Sequence, residues 1–149
     1  MDSAELHTRI GVGDLLARYQ YLADAGKIRQ LSELFAEDAE YVTNRSEWRG
    51  PAGVLDFFRS TKDSFVGAGF LPARHYLSSV LIRPRPDGSA STYACFQYIG
   101  VRGLDHWGTY VDEVVPDGDG WKFRRRVATV EGCVATSPVV GLLGIEARV

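Results

Sequence analysis

The feature that most limits how this chain can fold is a change of hydrophobic period near Pro72. Before it, apolar residues return every three or four positions, as on one face of a helix; after it, long β-branched and aromatic segments alternate with turn clusters, as in strands joined by hairpins. From Asp2 to Ala25, the residues Val12, Leu15, Leu16, Tyr19, Leu22 and Ala23 share one helical face. Asp2 with Glu5 three positions on reads as a capping box, and Gly26 supplies the left-handed stop. A shorter helix carries Ile28, Leu31, Leu34 and Phe35 inward and runs to about Ala36, followed by a strand from Ala39 to Thr43. Gly50-Pro51 opens a third helix, because proline at a first helical position has no N–H to lose; Val54, Leu55, Phe57 and Phe58 are its buried face.

Beyond Pro72 four strands are expected, at Arg74 to Arg83, Ser89 to Val101, His106 to Val115 and Trp121 to Glu131. The turn clusters Pro84 to Gly88 and Pro116 to Gly120, with Gly103 between them, make successive hairpins and therefore an antiparallel meander. Helices first and a meander afterwards specify an α+β fold, three N-terminal helices packed on a curved, mainly antiparallel sheet. With 149 residues, 45% of them hydrophobic, the chain has enough apolar surface for one core and little room for a second, so residues 1–149 are expected to form a single domain.

Charge narrows the partners. A formal net charge of −2 provides no global field toward nucleic acid or an anionic membrane, so a small, near-neutral ligand is the natural partner. No run of about 18 apolar residues offers a membrane span, and the first residues lack the basic start and apolar core of a secretion signal, so a cytoplasmic location is expected. Cys95 and Cys133 stand far apart and outside any metal-ligand spacing, as do His7, His75 and His106; neither a disulfide framework nor a metal site is expected. Arg124-Arg125-Arg126 is a basic block only when read linearly, since strand alternation sends Arg124 and Arg126 to one face and Phe123 and Arg125 to the other.

Several residues could carry chemistry. Asp24 falls in the last turn of the first helix, where the macrodipole disfavours a carboxylate; it either caps the second helix from the turn Asp24-Ala25-Gly26-Lys27 or serves as a general base. His75 opens the first meander strand, with alternation placing it beside Leu77, Ser79 and Leu81; it is either a satisfied core histidine or a base. His106 and its neighbour Trp107 are placed at a cavity rim. Arg126 is either solvated or turned inward, where it would be a fixed cation for a substrate oxygen, a leaving group or a carboxylate such as Asp112 or Glu113. Tyr19, Tyr21, Tyr41, Tyr93, Tyr98 and Tyr110 each combine an apolar wall with a hydrogen-bonding tip, and most of them are expected to be core residues.

The runs Asp14 to Tyr19, Asp24-Ala25-Gly26-Lys27 and Leu34 to Tyr41 resemble the opening of SnoaL-like proteins of the NTF2-like superfamily. The likeness continues through Gly50-Pro51, Arg74 to Ser78, Gly108 to Asp112 and Gly120 to Phe123, and so covers nearly the whole chain by order and spacing. The resemblance implies a cone-shaped α+β domain that pairs through its free sheet face, here as a homodimer or homotrimer. Members include polyketide cyclases, scytalone dehydratase, hexachlorocyclohexane dehydrochlorinase, ketosteroid isomerase-like enzymes and non-catalytic dioxygenase β subunits. Asp24 and His75 match the Asp-His dyad of the dehydratase and the dehydrochlorinase. Tyr41 matches a pocket tyrosine, and Arg126 a last-strand arginine. Ala23 departs from the dehydratase, which has a tyrosine before the aspartate, and no second histidine is evident unless His106 serves.

The expected function is a cofactor-independent lyase, isomerase or cyclase. It would take a carbon-bound proton from a small, mostly apolar cyclic substrate, polyketide-, steroid- or terpenoid-like, with His75 as base and Asp24 as its partner. Tyr41, Arg126, Tyr19, His106 and Trp107 would bind substrate or stabilise charge. The alternative is a non-catalytic ligand-binding or assembly subunit of the same fold.

Overall fold

Helix α1, Ser3–Asp24, begins where the Asp2 carboxylate accepts the Glu5 backbone N–H at 2.8 Å, and ends before Gly26, which takes φ 67°. Val12, Leu15, Leu16, Tyr19 and Leu22 are buried along one stripe, as their spacing requires. The computed structural model describes residues 1–145, so positions 146–149 of the expected domain lie outside the described residues.

Helix α2, Ile28–Ser32, is shorter than its apolar pattern predicts, and strand β1, Phe35–Val42, starts four residues before the expected Ala39. Tertiary pairing decides this boundary. Phe35 pairs with Phe123, and the Phe123 N–H donates to the Leu34 carbonyl at 2.9 Å, drawing the segment out of the helix and onto the sheet. A short strand β2, Glu47–Arg49, which the sequence pattern does not announce, folds back on β1 and leads into α3, Gly50–Gly67. Gly50 has φ 63°, and a Cβ there would lie 2.8 Å from the Glu37 carbonyl oxygen, so this junction requires glycine.

Strands β3 (Ala73–Pro84), β4 (Ala90–Gly100), β5 (Gly103–Asp117) and β6 (Gly120–Cys133) form the expected meander. The six strands lie in the order β2-β1-β6-β5-β4-β3 and are antiparallel except for β1 beside β6. A short helix α4, Val139–Leu143, follows the last strand. The fold is α+β, with helices packed on one curved, open, mostly antiparallel sheet. No helix among the described residues is long and apolar enough to cross a membrane.

Bulges curve this sheet and reassign faces. Ser78 pairs with Cys95 but Leu81 with Tyr93, so β3 carries an extra residue here, and Ser79 takes φ 52°. Leu81 is consequently exposed on the face opposite His75, and Ile82 takes the inward place; strict alternation predicted the reverse. On β6, Glu113 pairs with Arg125 and Val114 with Phe123, leaving Arg124 as the extra residue. Phe123 and Arg126 therefore both point inward, whereas strict alternation separates them.

Candidate active site

A cavity of about 240 Å³ lies between the concave face of the sheet and helices α1, α3 and α4. Its walls are mostly apolar. Phe57, Phe58 and Phe65 come from α3, Phe96 from β4, and Val139, Leu142 and Leu143 from α4. The polar groups that reach it sit in lateral rows across the sheet, because partners in register on adjacent strands point the same way. One row runs His75, Tyr98, His106, Cys133 over four consecutive strands.

Asp24 comes to His75 from the end of α1. His75 Nδ1 lies 2.8 Å from Asp24 Oδ1, and the His75 backbone N–H is 3.2 Å from each carboxylate oxygen. Helix α2 has no side-chain cap, so the capping role open to Asp24 is not the one it plays. These donors compensate its unfavourable place at a helix C-terminus. An ionised carboxylate can only accept, so Nδ1 donates, and in the neutral imidazole the lone pair is then on Nε2. Both side chains are largely buried, 19% exposed for His75 and 10% for Asp24, and both line the cavity. The Tyr98 ring packs 4.4 Å from the imidazole.

Four phenols line the same space, those of Tyr19, Tyr41, Tyr98 and Tyr110. Burial raises the pKa of each; for Tyr98, burial with the nearby charges of Asp24 and Asp105 pushes it up to about 12. All four stay protonated near neutrality and can donate hydrogen bonds. Tyr19 and Tyr41 hydroxyls stand 3.4 Å apart. Among the described residues, Lys62, exposed on α3, is the only lysine or arginine in the lining.

Two expectations need correction. Arg126 turns inward, yet it lies beneath the cavity instead of lining it. Its Nε and Nη2 each bond Asp112 at 2.8 Å, and Thr92 Oγ1 donates to the same carboxylate at 2.8 Å. Rings of Tyr19, Phe123 and Tyr110 surround the guanidinium at 4.0, 4.2 and 4.3 Å. Asp112, not a substrate oxygen, is the partner of this cation, while Glu113 pairs with Arg124. Trp107 likewise does not line the cavity. It follows His106 on β5 and so faces the convex side, where it lies on Gly132; a Cβ at Gly132 would be 2.2 Å from the indole.

Asp105, Tyr98, Tyr110 and α4 are the parts of the site that sequence reasoning missed. Asp105 is next to His106 in the chain, and alternation would send it to the opposite face. It is the extra residue of a bulge, since Tyr98 pairs with His106 but Ile99 with Leu104, and this brings both side chains into the interior. Tyr98 and Tyr110 had a usable signal, an even spacing from inward residues on their own strands.

A family model for the SnoaL-like domain matches residues 4–127. No curated protein matches the chain in sequence. Among solved structures, a scytalone dehydratase-like protein from Novosphingobium aromaticivorans superposes with TM-score 0.74 at 22% identity, over 87% of this chain and 88% of that one. LinA superposes with TM-score 0.73 at 20% identity, over 86% and 88%. A β subunit ascribed to an aromatic-ring-hydroxylating dioxygenase, also from Novosphingobium aromaticivorans, superposes with TM-score 0.71 at 17% identity, over 92% and 97%. These likenesses establish a shared fold. The family match over most of the length, together with this helix-on-curved-sheet architecture, means that the chain belongs to the SnoaL-like domain family of the NTF2-like superfamily.

Proposed function

We propose that this protein is a cofactor-independent enzyme that takes a proton from carbon in a small, mostly apolar cyclic substrate, leading to elimination, isomerisation or ring closure. The observation that carries the reading is the 2.8 Å contact of Asp24 with His75 Nδ1 on the wall of an apolar cavity. In this scheme His75 Nε2 accepts the proton, and the imidazolium so formed is stabilised by Asp24, which also holds the ring in the productive tautomer. The charge left on substrate oxygen is met by phenol donors, Tyr19 and Tyr41 first, in a dry environment that strengthens such bonds. Arg126 acts on the Tyr19 and Tyr110 rings from below and touches no substrate. His106 binds substrate on the far side of Tyr98. The likeness to a scytalone dehydratase-like protein and to LinA supports a small-molecule-processing enzyme of this kind.

The second reading, a non-catalytic ligand-binding or assembly subunit, is favoured by the likeness to a dioxygenase β subunit. Deuterium uptake separates the two. Cyclic ketones such as 1-tetralone, incubated with the protein in D2O and followed by mass spectrometry, should exchange their α-protons faster with the wild type than with His75→Ala. Equal exchange with both, alongside retained binding, would establish the subunit reading.

A further inference from the structure

His106 is a second histidine on the cavity wall with a carboxylate of its own. Its Nδ1 lies 2.7 Å from Asp105 Oδ2, and the Asp105 residue is 1% exposed. Ser137 Oγ donates to the same Oδ2 and accepts the Val139 N–H at 3.2 Å, while the Val134 N–H donates to the Asp105 carbonyl at 2.8 Å. The carboxylate is thus held on the segment that carries α4, whose Val139, Leu142 and Leu143 close the cavity. His106 Nε2 has no hydrogen-bond partner among the described residues. A buried histidine kept only for packing would leave one ring nitrogen apolar in contact, yet this ring lines open space beside Tyr98, 4.9 Å away, and Phe96, 5.8 Å away.

We infer that Asp105 and His106 form a second His–Asp unit, in which Asp105 fixes the Nδ1–H tautomer so that Nε2 accepts a hydrogen bond from a hydroxyl group of the substrate. The inference rests on the reading of this cavity as a small-molecule site, and adds to it the substrate class: cyclic compounds bearing a hydroxyl. His75 and His106 are then distinct in task. They stand two strands apart, on either side of Tyr98, at roughly 10 Å between backbones by strand spacing, so a single cyclic molecule can lie against both. Burial, reinforced by the neighbouring His75, lowers the His106 pKa against the opposing pull of Asp105, which keeps the ring neutral and accepting. In this unit Asp105 is a positioning residue, and Ser137 orients it in turn.

Two probes of similar shape test this, 2-naphthol and naphthalene, titrated by fluorescence. The wild type should bind 2-naphthol roughly three- to tenfold more tightly than naphthalene, the worth of one hydrogen bond. His106→Phe should abolish that preference while naphthalene still binds. Asp105→Asn presents an amide that can donate to Nδ1, so the tautomer should reverse and the preference shrink; nitrogen-15 NMR of the imidazole reads the tautomer without any ligand. Ser137→Ala, a milder change, should shift the preference in the same direction by a smaller factor. A preference unchanged in His106→Phe and Asp105→Asn, or an Nε2–H tautomer in the wild type, would overturn the inference and leave the cavity reading intact. Failure of both probes to bind the wild type would overturn both.

Discussion

Arg126 shows how a residue outside the cavity can support its wall. A guanidinium 1% exposed loses several kcal/mol of hydration, and here two bonds to Asp112 and three aromatic faces compensate. Removing one partner strands the other, so Arg126→Met should destabilise the protein by about 3–5 kcal/mol in urea unfolding, and Arg126→Met with Asp112→Leu by clearly less than the sum of the singles. At the His75 site the expected loss is in rate. Asp24→Asn should keep the fold and ligand binding but slow proton exchange by roughly three to four orders of magnitude, His75→Ala should abolish it, and the double variant should be no worse than His75→Ala. His106 makes a prediction about stability. Its folded pKa is depressed, so below about pH 6.5 the unfolded chain takes up a proton that the folded one resists, and stability falls as the pH is lowered through that range. Thermal unfolding between pH 7.5 and 5 should show a declining Tm, with a shallower decline in His106→Gln.

Among the elements, the bulges settle more of the site than the helices do. Each adds one residue to one strand and exchanges the faces of everything beyond it. The bulge at Ser79 sends Leu81 outward; that at Arg124 turns Arg126 toward the core; that at Asp105 puts a carboxylate beside His106. Ser79 has φ 52°, a conformation that costs a branched side chain most. Ser79→Gly should be neutral or stabilising, whereas Ser79→Val should cost about 1–3 kcal/mol, measured by chemical denaturation. Turn clusters and the helix cap at Asp2 were readable because their signals are local: a few residues with special backbone preferences act regardless of distant partners. The four meander strands accordingly fall within three residues of their expected limits at each end. No such local signal marks β2, α4 or the start of β1, all of which depend on what the segment packs against.

The whole molecule leaves one sheet face open to solvent. Leu81, Tyr93 and Val111 form an exposed apolar row across β3, β4 and β5, and Tyr76 stands nearby on the same side. Such a surface fits the homodimer or homotrimer that the family resemblance implies. Light scattering should return a multiple of 16.5 kDa, and Leu81→Glu with Val111→Lys should shift the protein to the monomer without altering the His75 chemistry. A monomer mass for the wild type at every concentration would contradict this assembly. The sequence by itself determined the main architecture: helical spacing dominates before Pro72 and strand alternation between there and Cys133, and each pattern has one apolar face to bury. It also contained Asp24, His75 and His106 as residue types in need of a partner. Which partner each found was decided by tertiary structure alone. Asp24 and His75 are 51 positions apart and meet only because α1 ends against β3. Asp105 reaches His106, and Arg126 reaches Asp112, only because bulges set the faces, and a bulge belongs to the pairing of two strands, so one strand's sequence does not display it.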